Sequence, residues 1–172
     1  MTLVVLSGLP GSGKTRVATV LGRELACAVV SVDTIERGLH DAGVDPAQPV
    51  GLAAYAVANR VVGVQLALGH TVVADAVNAH PEARQAWVDL AARHYRPLVV
   101  IEVRCSDEDL HRQRLETREH ELREVPWEWV QALRAAWTPW PVPTTVVDTA
   151  GELGTDEAVA TIAGELAGRS RP

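Results

Sequence analysis

Phenylalanine is missing from the 172 residues, methionine occurs once, and of the sixteen basic residues only Lys14 is a lysine. Aromatic packing therefore rests on five Trp and two Tyr, and any role that demands a lysine falls on one position. The two cysteines, Cys27 and Cys105, are far apart and sit in no CxxC or His/Cys ligand spacing, which excludes a disulfide framework and a zinc cluster and fits a reducing compartment. A basic surplus is lacking too: the net charge of −6 argues against a broad nucleic-acid surface, which needs many cations against phosphates. The longest apolar stretch, from Val50 to Gly69, is interrupted by Asn59, Arg60 and Gln65, so it reads as a buried helix of a water-soluble domain and not as a membrane span. The apolar run at the start has no basic flank or cleavage site and reads as a core strand. A cytoplasmic protein without membrane attachment is the expectation, as monomer or homodimer.

What is present is a packed domain: 47% hydrophobic and 22% charged residues are incompatible with a largely disordered chain. A single domain over residues 1–172 is expected, long enough to bury roughly 70% of its unfolded surface. Directly after Leu3-Val4-Val5-Leu6 stands Gly8-Leu9-Pro10-Gly11-Ser12-Gly13-Lys14-Thr15, a full match to GxxxxGK[ST]. Such a loop turns successive backbone N–H groups inward around an anion, and a helix from about Arg16 to Leu25 would aim its positive end at the same point. Lys14 is expected to reach the β and γ phosphates of a nucleotide, and the Thr15 hydroxyl to hold Mg²⁺.

Strand patterns follow at Ala28–Asp33, Thr71–Asp75, Leu98–Val103 and Thr144–Asp148, alternating with helical patterns. The helices are expected over Thr34–Ala42, Val50–Leu68, Pro81–Tyr95, from Ser106 as cap onward, from Pro126 with Val130, Leu133 and Trp137 on one apolar stripe, and over Asp156–Ala167. Alternation of this kind predicts parallel strands joined by right-handed crossovers, a three-layer α/β/α architecture. Asp148-Thr149-Ala150-Gly151 spells a DxxG, but a GTPase also needs an [NT]KxD, which a chain with one lysine cannot supply.

In such sheets ligands bind at the carboxyl edge of the strands. There Asp33 is the candidate base for an acceptor hydroxyl, with Arg37 one helical turn on as a candidate acceptor contact; the plain alternative is a helix cap paired with Arg37. Asp75 is a Walker-B-like carboxylate for Mg²⁺ or acceptor, or else a strand-end turn residue. Asn78 could hydrogen-bond the acceptor or be a turn residue. His111, Arg114 and Arg118 share one helix face, read either as a lid over the phosphates or as surface ion pairs with their acidic neighbours. Trp137 reads as core, and Trp127 or Trp129 as core or as a wall of an acceptor pocket; Tyr55 and Asn59 are weaker pocket candidates.

Across GLPGSGKT, SVDTIERGL, VVADAVNAHPEARQAW, VVIEVRCSDEDLHRQRLETR and VVDTAG the chain resembles the small P-loop kinases grouped with chloramphenicol phosphotransferase, gluconate kinase, the kinase half of polynucleotide kinase and the zeta toxins. The resemblance implies a P-loop kinase fold with strand order 2-3-1-4-5, a helical lid over about 106–125, and ATP with Mg²⁺. It implies that Gly8, Leu9, Pro10, Gly11, Ser12, Gly13, Lys14 and Thr15 cradle the nucleotide, that Thr149 borders its base, and that Asp33 is the base, with Arg37 near the acceptor and Arg114 and Arg118 in the lid. The activity implied is transfer of the γ-phosphoryl group to a hydroxyl of a small molecule. Alternatives are a nucleotide-binding regulatory or assembly ATPase, and a polynucleotide 5′-hydroxyl kinase.

Overall fold

The computed structural model describes residues 1–45, 47–117, 125–151 and 155–169. Five parallel strands form one sheet in the order β2-β3-β1-β4-β5: β1 (Leu3–Ser7), β2 (Ala28–Ser31), β3 (Val72–Asp75), β4 (Leu98–Arg104) and β5 (Thr144–Asp148). The three-layer architecture and its strand order are those expected from the sequence. The helices are α1 (Lys14–Glu24), α2 (Val32–Asp41), α3 (Gly51–Ala67), α4 (Pro81–Arg93), α5 (Glu108–Thr117), α6 (Trp127–Ala135) and α7 (Thr155–Arg169).

Central β1 has no polar residue before Ser7 because both of its faces are covered. Leu3 and Val5 enter one core with Ala54, Ala58, Val62 and Leu66 of α3 and Trp87 and Leu90 of α4. Val4 and Leu6 enter the other, with Val17 and Leu21 of α1 and Val159 of α7. A third, smaller core joins Leu115 of α5 to Trp127 and Val130 of α6, with Leu9 of the loop packed against it. This last cluster ties α5 and α6 to the glycine-rich loop.

Four local readings need correction. Strand β2 stops at Ser31 and α2 begins at Val32, because the Ser31 hydroxyl accepts the Thr34 amide at 3.3 Å; Asp33 thus belongs to the first turn of a helix, not to a strand end. Asp107, not Ser106, caps α5, its carboxylate accepting the Leu110 amide at 2.9 Å. Helix α6 ends at Ala135, so Trp137 is off its apolar stripe and lies half-buried against Arg84, whose guanidinium carbon is 4.6 Å from the ring centroid. Helix α3 is buried on one side only, exposing Leu52, Val57, Val61 and Val64 on the other. It stops where Gly69 takes φ +82°. Among the described residues no helix is long and apolar enough to cross a membrane.

Candidate active site

The loop between β1 and α1 is shaped by its glycines. Gly8 has φ +154°, and a Cβ there would lie 2.2 Å from the Val103 carbonyl oxygen, so the strand-to-loop turn admits no side chain. Gly11 has φ +79° and faces His111 so closely that a Cβ would meet the imidazole at 3.1 Å. The loop carbonyls are engaged: Leu9 O accepts Lys14 Nζ at 3.0 Å, Pro10 O lies 2.7 Å from His111 Nε2, and Ser12 O accepts Thr149 Oγ1 at 2.9 Å.

Helix α1 starts at Lys14 behind this loop with Gly13 as cap residue, no capping side chain and no acid in its first turn. Its leading amides and the positive end of its dipole are therefore offered to an anion. A phosphate group suits this hollow. At its floor the Thr15 hydroxyl donates to Asp75 Oδ2 at 3.4 Å, and Asp75 is only 4% exposed. One hydroxyl and one carboxylate are hard oxygen donors of the kind Mg²⁺ takes when phosphates and water complete its shell. Among the described residues no group of three or more His, Cys, Asp or Glu could hold a metal alone.

Sheet register places Asp33 relative to the loop. Leu6 of β1, Asp75 of β3 and Ser31 of β2 lie in one row. Asp33 follows two residues after Ser31, so it stands at the same carboxyl edge as the loop, about two strand spacings or ~10 Å across. Asp33, Glu36 and Asp75 all act electrostatically on the Tyr55 hydroxyl. Burial first, and then these carboxylates, push the Tyr55 pKa up to about 12 against the opposing hydrogen bond from the Asn78 amide.

Two residues expected near the acceptor have partners within the protein. Asn78 is fully buried: its Nδ2 donates to Leu6 O at 2.8 Å and its Oδ1 accepts Trp87 Nε1 at 2.9 Å, so its side chain is spent inside the protein. It occupies φ +55°, a conformation Asn tolerates, and its role is to fasten the β3–α4 turn. Arg37 is exposed on α2 and pairs with Asp41 at 3.8 Å.

On the opposite flank Arg114 Nη1 donates to Thr149 Oγ1 at 2.8 Å and Nη2 to Thr149 O at 3.1 Å, and the same Thr149 hydroxyl reaches Ser12 O. Arg114 and Thr149 are thereby brought together beside the loop. Arg118 lies outside the described residues, as does most of the second half of the expected lid. Trp127 is buried edge-on to His111, with ring centroids 5.2 Å apart, whereas Trp129 is exposed.

Sequence reasoning missed two arginines. Arg84, 1% exposed, donates to the carbonyls of Asn78, Ala79 and Thr138 and so clamps the chain after α6 onto α4; its place at i, i+3 and i+7 with Trp87 and Ala91 was the available sign. Arg134 of α6 donates to His111 Nδ1 at 3.0 Å and lies over Trp127. Trp127 and Arg134 are seven apart, hence on one helix face.

A cavity of ≈ 410 Å³ lies beside edge strand β2, lined by Val29, Val30, Val57 and Val61 and touching Thr15 and Asp75. Asp33 is not on its wall, so it is not the cleft in which a hydroxyl would meet that carboxylate.

Parallel sheet order, loop, capless helix and strand-end carboxylate together define a P-loop domain with the kinase fold. A family model described as AAA domain matches residues 3–140, and the chain belongs to that family. An uncharacterized protein of Mycobacterium tuberculosis is 29% identical over 161 residues, covering 87% of this chain; the chain spans about a third of that relative's length, 32%. Among solved structures, Chaetomium thermophilum Kti12 in complex with ADP-AlF3 superposes with a TM-score of 0.70 at 23% identity, over 95% of this chain and 97% of that one. A gluconokinase from Sinorhizobium meliloti superposes with a TM-score of 0.64 at 18% identity, over 99% and 98%. At these identities the likeness is one of fold.

Proposed function

We propose that this chain is an ATP-dependent phosphotransferase that moves the γ-phosphoryl group onto a hydroxyl of a small molecule. The observation that carries the reading is a carboxylate, Asp33, free of any strand ladder and standing at the same sheet edge as a loop whose helix N-terminus is left open to an anion. ATP with Mg²⁺ supplies the transferable phosphoryl group and offsets its charge. Lys14 and the loop amides hold the phosphates, and Thr15 with Asp75 holds the metal ion. Asp33 orients the acceptor hydroxyl and takes its proton, and Arg114 borders the nucleotide beside Thr149.

The acceptor side is negative. Asp33, Glu36 and Asp75 all act electrostatically on the Tyr55 hydroxyl, while Arg37 pairs with Asp41. A neutral or cationic hydroxyl compound suits that surface better than an anionic one, and a nucleic-acid end suits it poorly.

The test replaces Asp33 with Asn and measures ATP affinity alongside ADP release over a library of neutral, cationic and anionic hydroxyl compounds. Retained affinity with lost stimulation supports the kinase. A wild-type chain that binds and hydrolyses ATP with no compound stimulating it, and is indifferent to Asp33, is a nucleotide-dependent regulator instead.

A further inference from the structure

We propose that His111 is a positioning residue that latches lid helix α5 to the phosphate loop, so that occupancy of the loop and the seating of the lid are coupled. The latch has two ends on one ring. Nε2 lies 2.7 Å from the Pro10 carbonyl, which can only accept, so this nitrogen carries the proton. Nδ1 lies 3.0 Å from Arg134 Nη2, which can only donate, so this nitrogen carries the lone pair. The two partners select one neutral tautomer and fix the ring plane. Trp127 closes over its edge, and His111 is 1% exposed. On the loop side, the absence of a side chain at Gly11 is what lets the imidazole approach, and Leu115, one turn further along α5, packs over the same glycine. Helix α6 is drawn in through Arg134, which also lies 3.7 Å from Glu108 of α5.

The consequence is mechanical. Pro10 O is on the outer side of the loop whose amides would line the phosphates, so a ligand that fixes the loop also fixes Pro10, and through His111 it fixes α5 and α6. This function for the latch rests on the kinase reading; the latch itself rests on the two hydrogen bonds of the His111 ring. Protonation would undo it. A charged ring would present an N–H to the Arg134 guanidinium, with Lys14 of α1 and Arg114 of α5 also facing it. Burial, followed by these cations and against the Pro10 hydrogen bond, holds the His111 pKa below its usual value, so the neutral latch persists through the physiological range.

Hydrogen exchange on the unliganded full chain tests this directly, with three variants that dissect the ring. His111→Gln keeps a donor near the Nε2 position, His111→Asn keeps only a group near Nδ1, and Arg134→Met leaves the ring but removes its cation. The segment 8–15 is expected to exchange about tenfold faster in His111→Asn, the scale of one lost hydrogen bond, and within about threefold of wild type in His111→Gln. Added ATP is expected to slow exchange of segment 108–117 in wild type and in His111→Gln, but not in His111→Asn. In Arg134→Met the imidazole NMR titration of His111, assigned as the resonance missing from His111→Gln, should move to higher pH. Equal exchange of the loop in all chains overturns the latch, as does a His111 midpoint that ignores Arg134. Should His111→Asn fail to fold, a His111→Gln chain whose loop is as open as an unlatched one, about tenfold faster than wild type, overturns it alone. Failure of the kinase reading shows separately, as absent acceptor-stimulated ADP release with the loop exchange pattern intact.

Discussion

The two flanks of the phosphate loop are built differently. On the α5 side, the expected lid flank, the carbonyls of Leu9, Pro10 and Ser12 have side-chain partners, and His111, Arg114 and Thr149 are buried or half-buried beside the loop. On the proposed acceptor flank Arg37 of α2 is 45% exposed and pairs with Asp41 at 3.8 Å. An exposed pair of that kind contributes little, typically under ~1 kcal/mol. One flank is joined to the loop by side-chain hydrogen bonds, and the other is proposed to be completed by an acceptor.

The sharpest way to break this contrast is at Asp33. If the acceptor flank is free of structural duty, Asp33→Asn should leave the thermal midpoint and ATP affinity unchanged while acceptor-stimulated turnover falls by about 10²–10⁴-fold, the range of a lost general base. A variant that instead melts several degrees lower would make Asp33 a helix-start residue with no chemical part.

Asn78 offers the next largest effect and the opposite sign of evidence. It was expected at the acceptor, yet its amide holds Leu6 and Trp87 together beneath the loop. Asn78→Ala should cost about 2–6 kcal/mol in urea unfolding, from two buried polar groups left without partners at about 1–3 each. A variant that folds with wild-type stability and a raised acceptor KM would return Asn78 to the acceptor site.

These two residues show where the sequence was readable. The β1 run, the loop and the four later strands were legible because buried parallel strands are continuous apolar runs and the loop's glycines are demanded by backbone geometry. Asp75 was legible as a strand-end acid because parallel sheets bring all such ends to one edge, whereas Asp33 proved to lie in the first turn of α2. What failed was choosing among local partners. Whether Ser106 or Asp107 caps α5, and whether Asn78 faces a ligand or a tryptophan, turn on about 1 kcal/mol or on contacts outside the local segment, and neither leaves a periodic trace. The Arg134–His111–Pro10 chain was invisible for the same reason: it joins three elements that only tertiary packing brings together.

On the lid flank Arg114→Ala tests how far the prepared side depends on one side chain. Its two bonds to Thr149 are hydrogen bonds from a charged donor, worth about 1.5–3 kcal/mol, so ATP affinity should fall about 10- to 100-fold in a titration while the acceptor KM stays put. An effect confined to the acceptor KM would erase the distinction between the flanks.

The smallest expected effect sits at their junction. Tyr55 is held protonated up to about 12 by burial and by the surrounding carboxylates, while in the unfolded chain its hydroxyl ionises near 10. The unfolded state therefore releases its proton first, and Tyr55 draws stability out of the fold as pH rises from about 10 through 12; below pH 10 it has no such effect. Tyr55→Phe should flatten that alkaline decline in the thermal midpoint. At pH 7 it should also cost about 1–3 kcal/mol, because the Asn78 amide loses the oxygen it donates to at 2.9 Å. An alkaline decline identical in both chains would mean that the fold does not hold the Tyr55 hydroxyl protonated through its burial and the neighbouring carboxylates.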